Sequence, residues 1–425
     1  MSDPPNILTP GRANAFVALL SVMIALNFMD RQVLAIVAEP VKHEFGLSDT
    51  QLGVLTGAVF ALLFAFASIP IAWAADRVNR VWVLSLCATL WSLFTMVMGA
   101  ATGFQQLVVA RMGLAIGEAG CNPCAQSLIA DYVPSERRAQ ALAIYAMGVP
   151  AGLVAAGIVG GQLADRFGWR AAFLVLGAVS LLVALLAAWV LPEPRGARRV
   201  VAAAVSGAGV SAGTGRGYRI LLAKPAFRYL IAGSAVGTIA SVGSLVWGTV
   251  FIVRYFAWTP GEAGAVFGTL GAVVGLGGTW LGGKLSDVLS ARDKRWRMWL
   301  PAIALVLATP FGFVGAFATA ISVLFVTASA EAFFRTLTLA PAAATLQGLS
   351  PNDARARAAA TSGVVGNLIG FGLGPTIVGV LSDALTPQFG ADALRYGMVS
   401  LMIPQLIAAY LLWRAARTLE ADLID

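Results

Sequence analysis

The sequence predicts an all-α membrane protein whose twelve transmembrane helices form two pseudo-symmetric six-helix bundles. Three observations predict it. Of 425 residues, 58% are hydrophobic and only 12% are charged, about half the charge density of an ordinary soluble protein, and the mean hydropathy is +0.80. Apolar runs of the ~20 residues needed to cross a bilayer recur from one end of the chain to the other. Short signatures also return after about half a chain length.

The runs lie near 15–37, 51–73, 81–101, 105–130, 139–162 and 171–191, then near 227–252, 262–283, 299–318, 320–347, 357–381 and 394–413. Each must be helical, because an unpaired backbone group in hydrocarbon costs several kcal/mol. The polar N-terminal stretch carries Pro4 and Pro5 but neither a cationic start nor a small-residue cleavage site. The first span is therefore expected to remain in the mature protein.

Charge sets the orientation. With both termini inside, and with Arg228, Arg357 and Arg395 at span edges counted with the connections they adjoin, the inner connections and tails hold 21 Lys and Arg, the outer loops hold 5 (Lys42, Arg166, Arg170, Arg254, Arg395), and three lie within spans. Such a bias predicts both termini in the cytoplasm of a cell, or inner, membrane. It also accounts for the net charge of +8 without a nucleic-acid partner. The Arg-, Ala- and Gly-rich stretch 194–224 reads as a cytoplasmic linker between an N-terminal bundle, 1–193, and a C-terminal bundle, 225–425.

Internal repetition supports two related halves. Asp76 after the second span has a counterpart in Asp287 after the eighth, Pro134 in Pro351, and Asp165 in Asp383, at offsets of 211, 217 and 218. Within the first half, Ala-Asp-Arg at 75–77 returns at 164–166.

Glycine is arranged in ribbons. The eighth span carries Gly264/Gly268, Gly271/Gly275 and Gly278/Gly282; the eleventh Gly366, Gly370 and Gly374; the fifth Gly152, Ala156 and Gly160; the second Gly53, Gly57 and Ala61. Small residues at this spacing let helix backbones approach closely in lipid. The four ribbons are expected to form the contact between the halves.

Six ionisable residues lie inside spans: Asp30 and Arg31 in the first, Arg111 and Glu118 in the fourth, Glu331 and Arg335 in the tenth. A charge at the bilayer centre costs roughly 2.5–3.5 kcal/mol on insertion scales, so these residues call for partners and a polar cavity. Arg111 and Glu118 are seven apart, on one helix face and ~10 Å apart along it. Asp30 and Arg31 diverge by ~100°. A cross-helix network follows: Asp30 with Arg111 and Arg31 with Glu118, or the reverse. A carboxylate so placed is balanced between the desolvation of its charge and a nearby guanidinium. A conformational change that alters the balance loads a proton on one side and releases it on the other. The alternative is a static buried ion-pair set that fixes helix register. Glu331 and Arg335, at i,i+4, can pair within their own helix; otherwise Arg335 faces the cavity as an anion anchor. Asn27 and Asn367 are candidate polar lining.

Other chemistry is poorly supplied. Cys87, Cys121 and Cys124 all lie in apolar runs, so no disulfide framework is implied, and the single histidine, His43, leaves no zinc cluster. No metal or cofactor is expected. Neither is enzymatic activity, since no catalytic cluster is present. Pro123, between Cys121 and Cys124, is expected to kink the fourth span.

These residues resemble a known family. Ala75-Asp76-Arg77-Val78-Asn79-Arg80 and Gly282-Gly283-Lys284-Leu285-Ser286-Asp287 resemble the loop signatures of the major facilitator superfamily, the second without its tight glycine pattern. GVPAGLVAAGIVGG (148–161) resembles that family's fifth-helix motif. NFMDRQVL (27–34), ARMGLAIGEAG (110–120) and SLIADYVPSERRAQALAIY (127–145) are similar to Spinster-type transporters. The resemblance implies a proton-linked carrier of amphiphilic lipids; the apolar character of the spans extends the expectation to drug-like substrates, and the chain is expected to work as a monomer by alternating access. Asp30 and Glu118 would be its proton sites, with Arg31 and Arg111 as charge partners or anion binders. It further implies that Asp76, with Arg77, Arg80 and Asp287, latches the cytoplasmic ends of the halves. Proton-coupled organic-anion symporters of the sugar-acid type also carry an Asp-Arg pair in the first helix and an Arg-Glu pair in the fourth. They are the alternative, with a more polar cavity expected.

Overall fold

The structure, a computed structural model, describes residues 9–194, 221–351 and 355–423, all helical or connecting, with no strand among them. The central linker expected at 194–224 lies almost wholly outside the described residues.

Among the described residues ten stretches are long and apolar enough to cross a membrane: Gly11–Ile36, Asp49–Arg77, Arg80–Gly99, Ser135–Phe167, Trp169–Val190, Pro225–Phe256, Pro260–Ser290, Trp296–Ala316, Ile321–Leu349 and Thr361–Asp422. The last holds two spans, joined through a short turn at Gly390–Asp392. The fourth span is in two pieces, Phe104–Glu118 and Cys121–Tyr132, which brings the spans to twelve. The helices overrun the apolar stretches, because backbone hydrogen bonding continues after the side chains turn polar. One extra helix, Ala38–Phe45, stands in the connection between spans 1 and 2.

Two breaks share one cause. Pro123 has no N–H to give the Ala119 carbonyl, and span 4 parts there. Pro341 likewise leaves the Leu337 carbonyl without its i+4 donor, and span 10 parts between Thr336 and Leu339. The two prolines are 218 positions apart, the same offset as Asp165 and Asp383. In span 5 the residues Ala156–Gly160 form a π-helical turn, a local widening that is often found at functional positions.

The chain divides into two compact units. One comprises Met1–Phe45, Leu62–Gly209 and Trp258–Gly268; the other comprises Gly46–Ala61, Val210–Ala257 and Thr269–Asp425. Each unit thus includes the start of one span, the second or the eighth, whose remainder belongs to the other unit.

In the first unit, Gly157 in the π turn packs against Gly264, where a Cβ on Gly157 would run into the Gly264 carbonyl; at Gly161 a Cβ would lie 2.5 Å from the Gly261 Cα. Beside this seam the Asp165 carboxylate accepts the Thr259 hydroxyl at 2.8 Å and the Gly261 N–H at 3.1 Å, capping the start of span 8. In the second unit, Asp383 accepts the N–H groups of Asp49 at 3.1 Å and Thr50 at 2.7 Å, capping the start of span 2. Asp49 is itself held by Arg254 through two 2.8 Å hydrogen bonds and by the Ser382 hydroxyl at 2.6 Å. The two aspartates matched by the internal repeat therefore do one job: each puts a negative charge on the unsatisfied N–H groups of a helix start.

The glycine ribbons meet the expectation of a contact between the halves only in part: Gly53 and Gly57 of span 2 lie against Pro375 and Phe371 of span 11, and Gly264 of span 8 lies against Gly157 of span 5, while other ribbon glycines face spans of their own half. Gly264 faces span 5 and Gly268 lies near Leu153, but Gly278 and Gly282 face Thr336 and Leu337 of span 10, and Gly271 faces open space. In span 11, Gly370 and Gly374 meet Thr238, Ile239 and Gly243 of span 7, while Gly152 meets Ala25 of span 1. Glycines repeating every seven residues drift by ~20° per repeat around a straight helix, so one ribbon is shared between neighbours.

The short helix Ala38–Phe45 is tied down by Glu44, which accepts from Arg170 Nη1 and Trp169 Nε1 at 2.7 Å each. Those two donors hold the Glu44 carboxyl below its ordinary range.

Candidate functional site

The first unit gathers four of the expected residues. Asn27 and Arg31 are one helical turn apart in span 1, so they share a face, and Asp30 points to another. Arg31 donates from Nε (3.0 Å) and Nη2 (2.7 Å) to the same oxygen, Glu118 Oε2. Its Nη2 also lies 3.5 Å from Asn27 Oδ1. The guanidinium carbon lies over the Phe28 and Phe64 rings, 4.8 and 5.2 Å from their centroids, where cation–π attraction adds to the ion pair. Arg111 donates from Nη2 to the Arg31 carbonyl at 3.4 Å and feels the charges of Glu118, Arg31 and Asp30. Of the two pairings open to the sequence, the Arg31–Glu118 bridge is formed.

Asp30 lies fully buried on the other side of span 1, accepting the Ser180 hydroxyl of span 6 at 3.0 Å, with Thr95 and Trp91 of span 3 around its carboxyl. The divergence of neighbouring positions on a helix therefore separates the two residues: Arg31 faces span 4, and Asp30 is enclosed by spans 3 and 6. Glu118 Oε1 and Asp30 Oδ1 are buried and make no hydrogen bond among the described residues. Such acceptors carry a large desolvation cost. A bound proton removes that cost, which is the chemistry available here.

The second unit carries the other pair. Glu331 Oε1 and Arg335 Nη1 are 3.3 Å apart, and Arg335 also donates to the Ala240 carbonyl (3.0 Å) and Ser244 Oγ (2.9 Å) of span 7.

The four loop residues are placed separately. Arg80 is buried and tied within its own unit, its Nη2 2.7 Å from both Asp131 and Glu193 and its Nη1 2.7 Å from Ser127 Oγ. Arg77 lies over the Trp73 ring at 3.9 Å and donates to the Trp73 carbonyl. Asp76 and Asp287 are exposed. The three cysteines are buried and free.

Sequence reading missed Ser180, Thr95, Phe28, Phe64 and Ser244. Ser180 was discoverable as the one hydroxyl in the apolar run Phe173–Val190, a polar group with no reason to face lipid. The phenylalanines gave no signal, because aromatic residues are common on every span.

The chain matches the family model of the Major Facilitator Superfamily over residues 20–375. It is 35% identical over 418 residues to an MFS-type efflux pump of Mycolicibacterium smegmatis, which covers 98% of this chain and 95% of that protein. A probable L-galactonate transporter of Escherichia coli is 28% identical over 243 residues, 57% of this chain and 52% of that one. A crystal structure of a bacterial homolog of the human lysosomal transporter Spinster, inward-facing and unoccupied, is similar with a TM-score of 0.88 at 29% identity, covering 98% of this chain and 100% of that one. With twelve spans, repeated loop signatures and these likenesses, the chain belongs to the major facilitator superfamily as a Spinster-like member, a multi-pass membrane transporter and not an enzyme.

Proposed function

We propose that this transporter is a proton-coupled carrier of an amphiphilic or drug-like substrate, with Glu118 and Asp30 as proton sites. One observation carries the reading: Glu118 is buried with one oxygen bridged by Arg31 and the other without a hydrogen bond, and the bridging guanidinium lies against two phenylalanine rings. A titratable acid, a cation and an apolar surface thus meet at one place. Protonation of Glu118 weakens its hold on Arg31, which is then free to receive an anionic headgroup while Phe28 and Phe64 contact an apolar body. Substrate binding and proton binding are thereby linked through one guanidinium.

The second reading is an organic-anion symporter of the sugar-acid type. It is favoured by the two guanidiniums of Arg31 and Arg111 in one cluster and by the likeness to a probable L-galactonate transporter. The aromatic rings against Arg31 tilt the balance toward the amphiphile.

The same reading puts the chain in the cell (inner) membrane as a monomer with both termini cytoplasmic, supported by the 21-to-5 distribution of Lys and Arg. It retains the bundles 1–193 and 225–425, the linker between them, and a cytoplasmic latch of Asp76, Arg77, Arg80 and Asp287.

The test is uptake into proteoliposomes of a lysophospholipid or an amphiphilic dye, with and without an imposed pH gradient, for wild type and Glu118→Gln. Gradient-driven flux lost in the variant is the expected result. Equal flux in both would assign Glu118 a structural role. Gradient-driven uptake of a small organic acid, without lipid flux, would promote the second reading.

A further inference from the structure

Glu331 has no part in the cycle described above. It is 7% exposed, and its Oε1 is closed to solvent without a hydrogen bond among the described residues. Arg335 Nη1 is at ion-pair distance, 3.3 Å, but at an angle that makes no hydrogen bond, because the same nitrogen donates to the Ala240 carbonyl and to Ser244 Oγ. The guanidinium is held by span 7 and leaves the carboxyl only partly compensated. Among the described residues no other element supplies a charge: span 9 presents Gly312 and span 12 presents Met402, and Arg335 is the charged group that faces Glu331. The packing is also close. A Cβ on Gly312 would lie 3.0 Å from the Glu331 carboxyl carbon and 2.6 Å from Met402 Cε.

We propose that Glu331 is a second proton-binding site, within the second unit and separate from the Asp30–Arg31–Arg111–Glu118 cluster, and that Ser244 is the positioning residue that holds Arg335 away from it. A buried carboxylate with an unbonded oxygen and a diverted counter-ion bears a desolvation cost that its surroundings do not repay. A proton on the carboxyl removes the charge and needs no added volume, whereas a substrate headgroup or a hydrated cation does not fit between Gly312 and Met402. Release follows the same geometry in reverse. When Arg335 leaves Ser244 and the Ala240 carbonyl, it closes on Glu331, the O–H bond breaks, the proton passes to water, and the carboxylate left behind is neutralised by the guanidinium. The role of this proton in transport rests on the proton-coupled reading; its presence on Glu331 does not.

The test reads the protonated-carboxyl C=O band in the infrared spectrum of the purified protein at neutral pH, for wild type, Glu331→Gln, Glu118→Gln and Ser244→Ala. Glu331→Gln should remove one carboxyl's share of the band, and Glu118→Gln should leave that share in place. Ser244→Ala keeps Glu331 in the chain, and by removing one of the two acceptors that hold Arg335 Nη1 should reduce the same share at least twofold. A full band in Glu331→Gln, or an unchanged band in Ser244→Ala, overturns the proposal. Absence of gradient-driven flux in wild type would sink the coupled-carrier reading while leaving this band untouched.

Discussion

Glutamine at position 118 would keep the shape of glutamate and one acceptor oxygen while removing its charge. Arg31 makes both its hydrogen bonds, 3.0 and 2.7 Å, to one oxygen of Glu118, and the glutamate side chain is fully closed to solvent. Two unit charges ~4 Å apart attract by about 4 kcal/mol at an effective dielectric near 20. Removing one partner of a buried pair costs a similar ~3–5 kcal/mol, because the other charge stays behind uncompensated. Arg111 sharpens the loss, since it also interacts with Glu118. Glu118→Gln and Arg31→Gln should each destabilise strongly, while the double variant removes both charges together and should unfold later than either single one. Thermal unfolding of the four proteins in detergent at neutral pH completes the cycle, with an expected coupling of about 3 kcal/mol. A Glu118→Gln protein as stable as wild type would refute the reasoning, since it would mean that Glu118 already carries its proton and that the bridge is a neutral hydrogen bond.

Gly157→Val drives a side chain into the Gly264 carbonyl and should cost at least about 1–3 kcal/mol and stop uptake, whereas Gly271→Ala, with nothing within 4 Å, should change neither; equal behaviour of the two variants in uptake and unfolding assays rules out the seam. Asp383→Ala removes the charged acceptor of the Asp49 and Thr50 amides. At ~1.5–3 kcal/mol for a hydrogen bond to a charged group, their hydrogen exchange should quicken roughly ten- to hundredfold, and unchanged exchange would show that the cap is idle. Glu44, held low by Arg170 and Trp169, should contribute stability that is complete above the ordinary carboxylate range and is lost as pH falls through its depressed folded value. With the pair well exposed, that contribution is at most about 1 kcal/mol. The stability difference between wild type and Glu44→Gln should therefore shrink on acidification, and growth of that difference would reverse the assigned sign.

The membrane class and the number of spans were legible because hydrocarbon forces every crossing segment to be apolar and helical. The same constraint made the six ionisable residues conspicuous, each one costly unless partnered. Asp165 and Asp383 were legible as a repeated pair but not as helix caps, since the N–H groups they accept lie far along the chain, 96 positions away for Gly261 and 334 for Asp49. The ribbons were readable as close-approach surfaces, yet not for which neighbour they approach. Gly271 stands in the ribbon pattern yet has open space where a Cβ would go, while Gly157, outside it, has no room for one against Gly264. The prolines at 123 and 341 carried a sharper signal than the kink expected at the first alone, because each deletes one identifiable hydrogen bond.

The sequence by itself determined the twelve helices, the two related halves and the residues that must find charged partners, because hydropathy, helical spacing and proline chemistry act over one or two turns of a chain. Tertiary structure alone decided that Arg31 closes on Glu118, that Asp30 turns instead to Ser180, and that Arg335 reaches Ser244 of span 7 as well as Glu331. These choices depend on which helix faces meet. That meeting is set by packing between segments tens to hundreds of residues apart, where spacing along the chain carries no information.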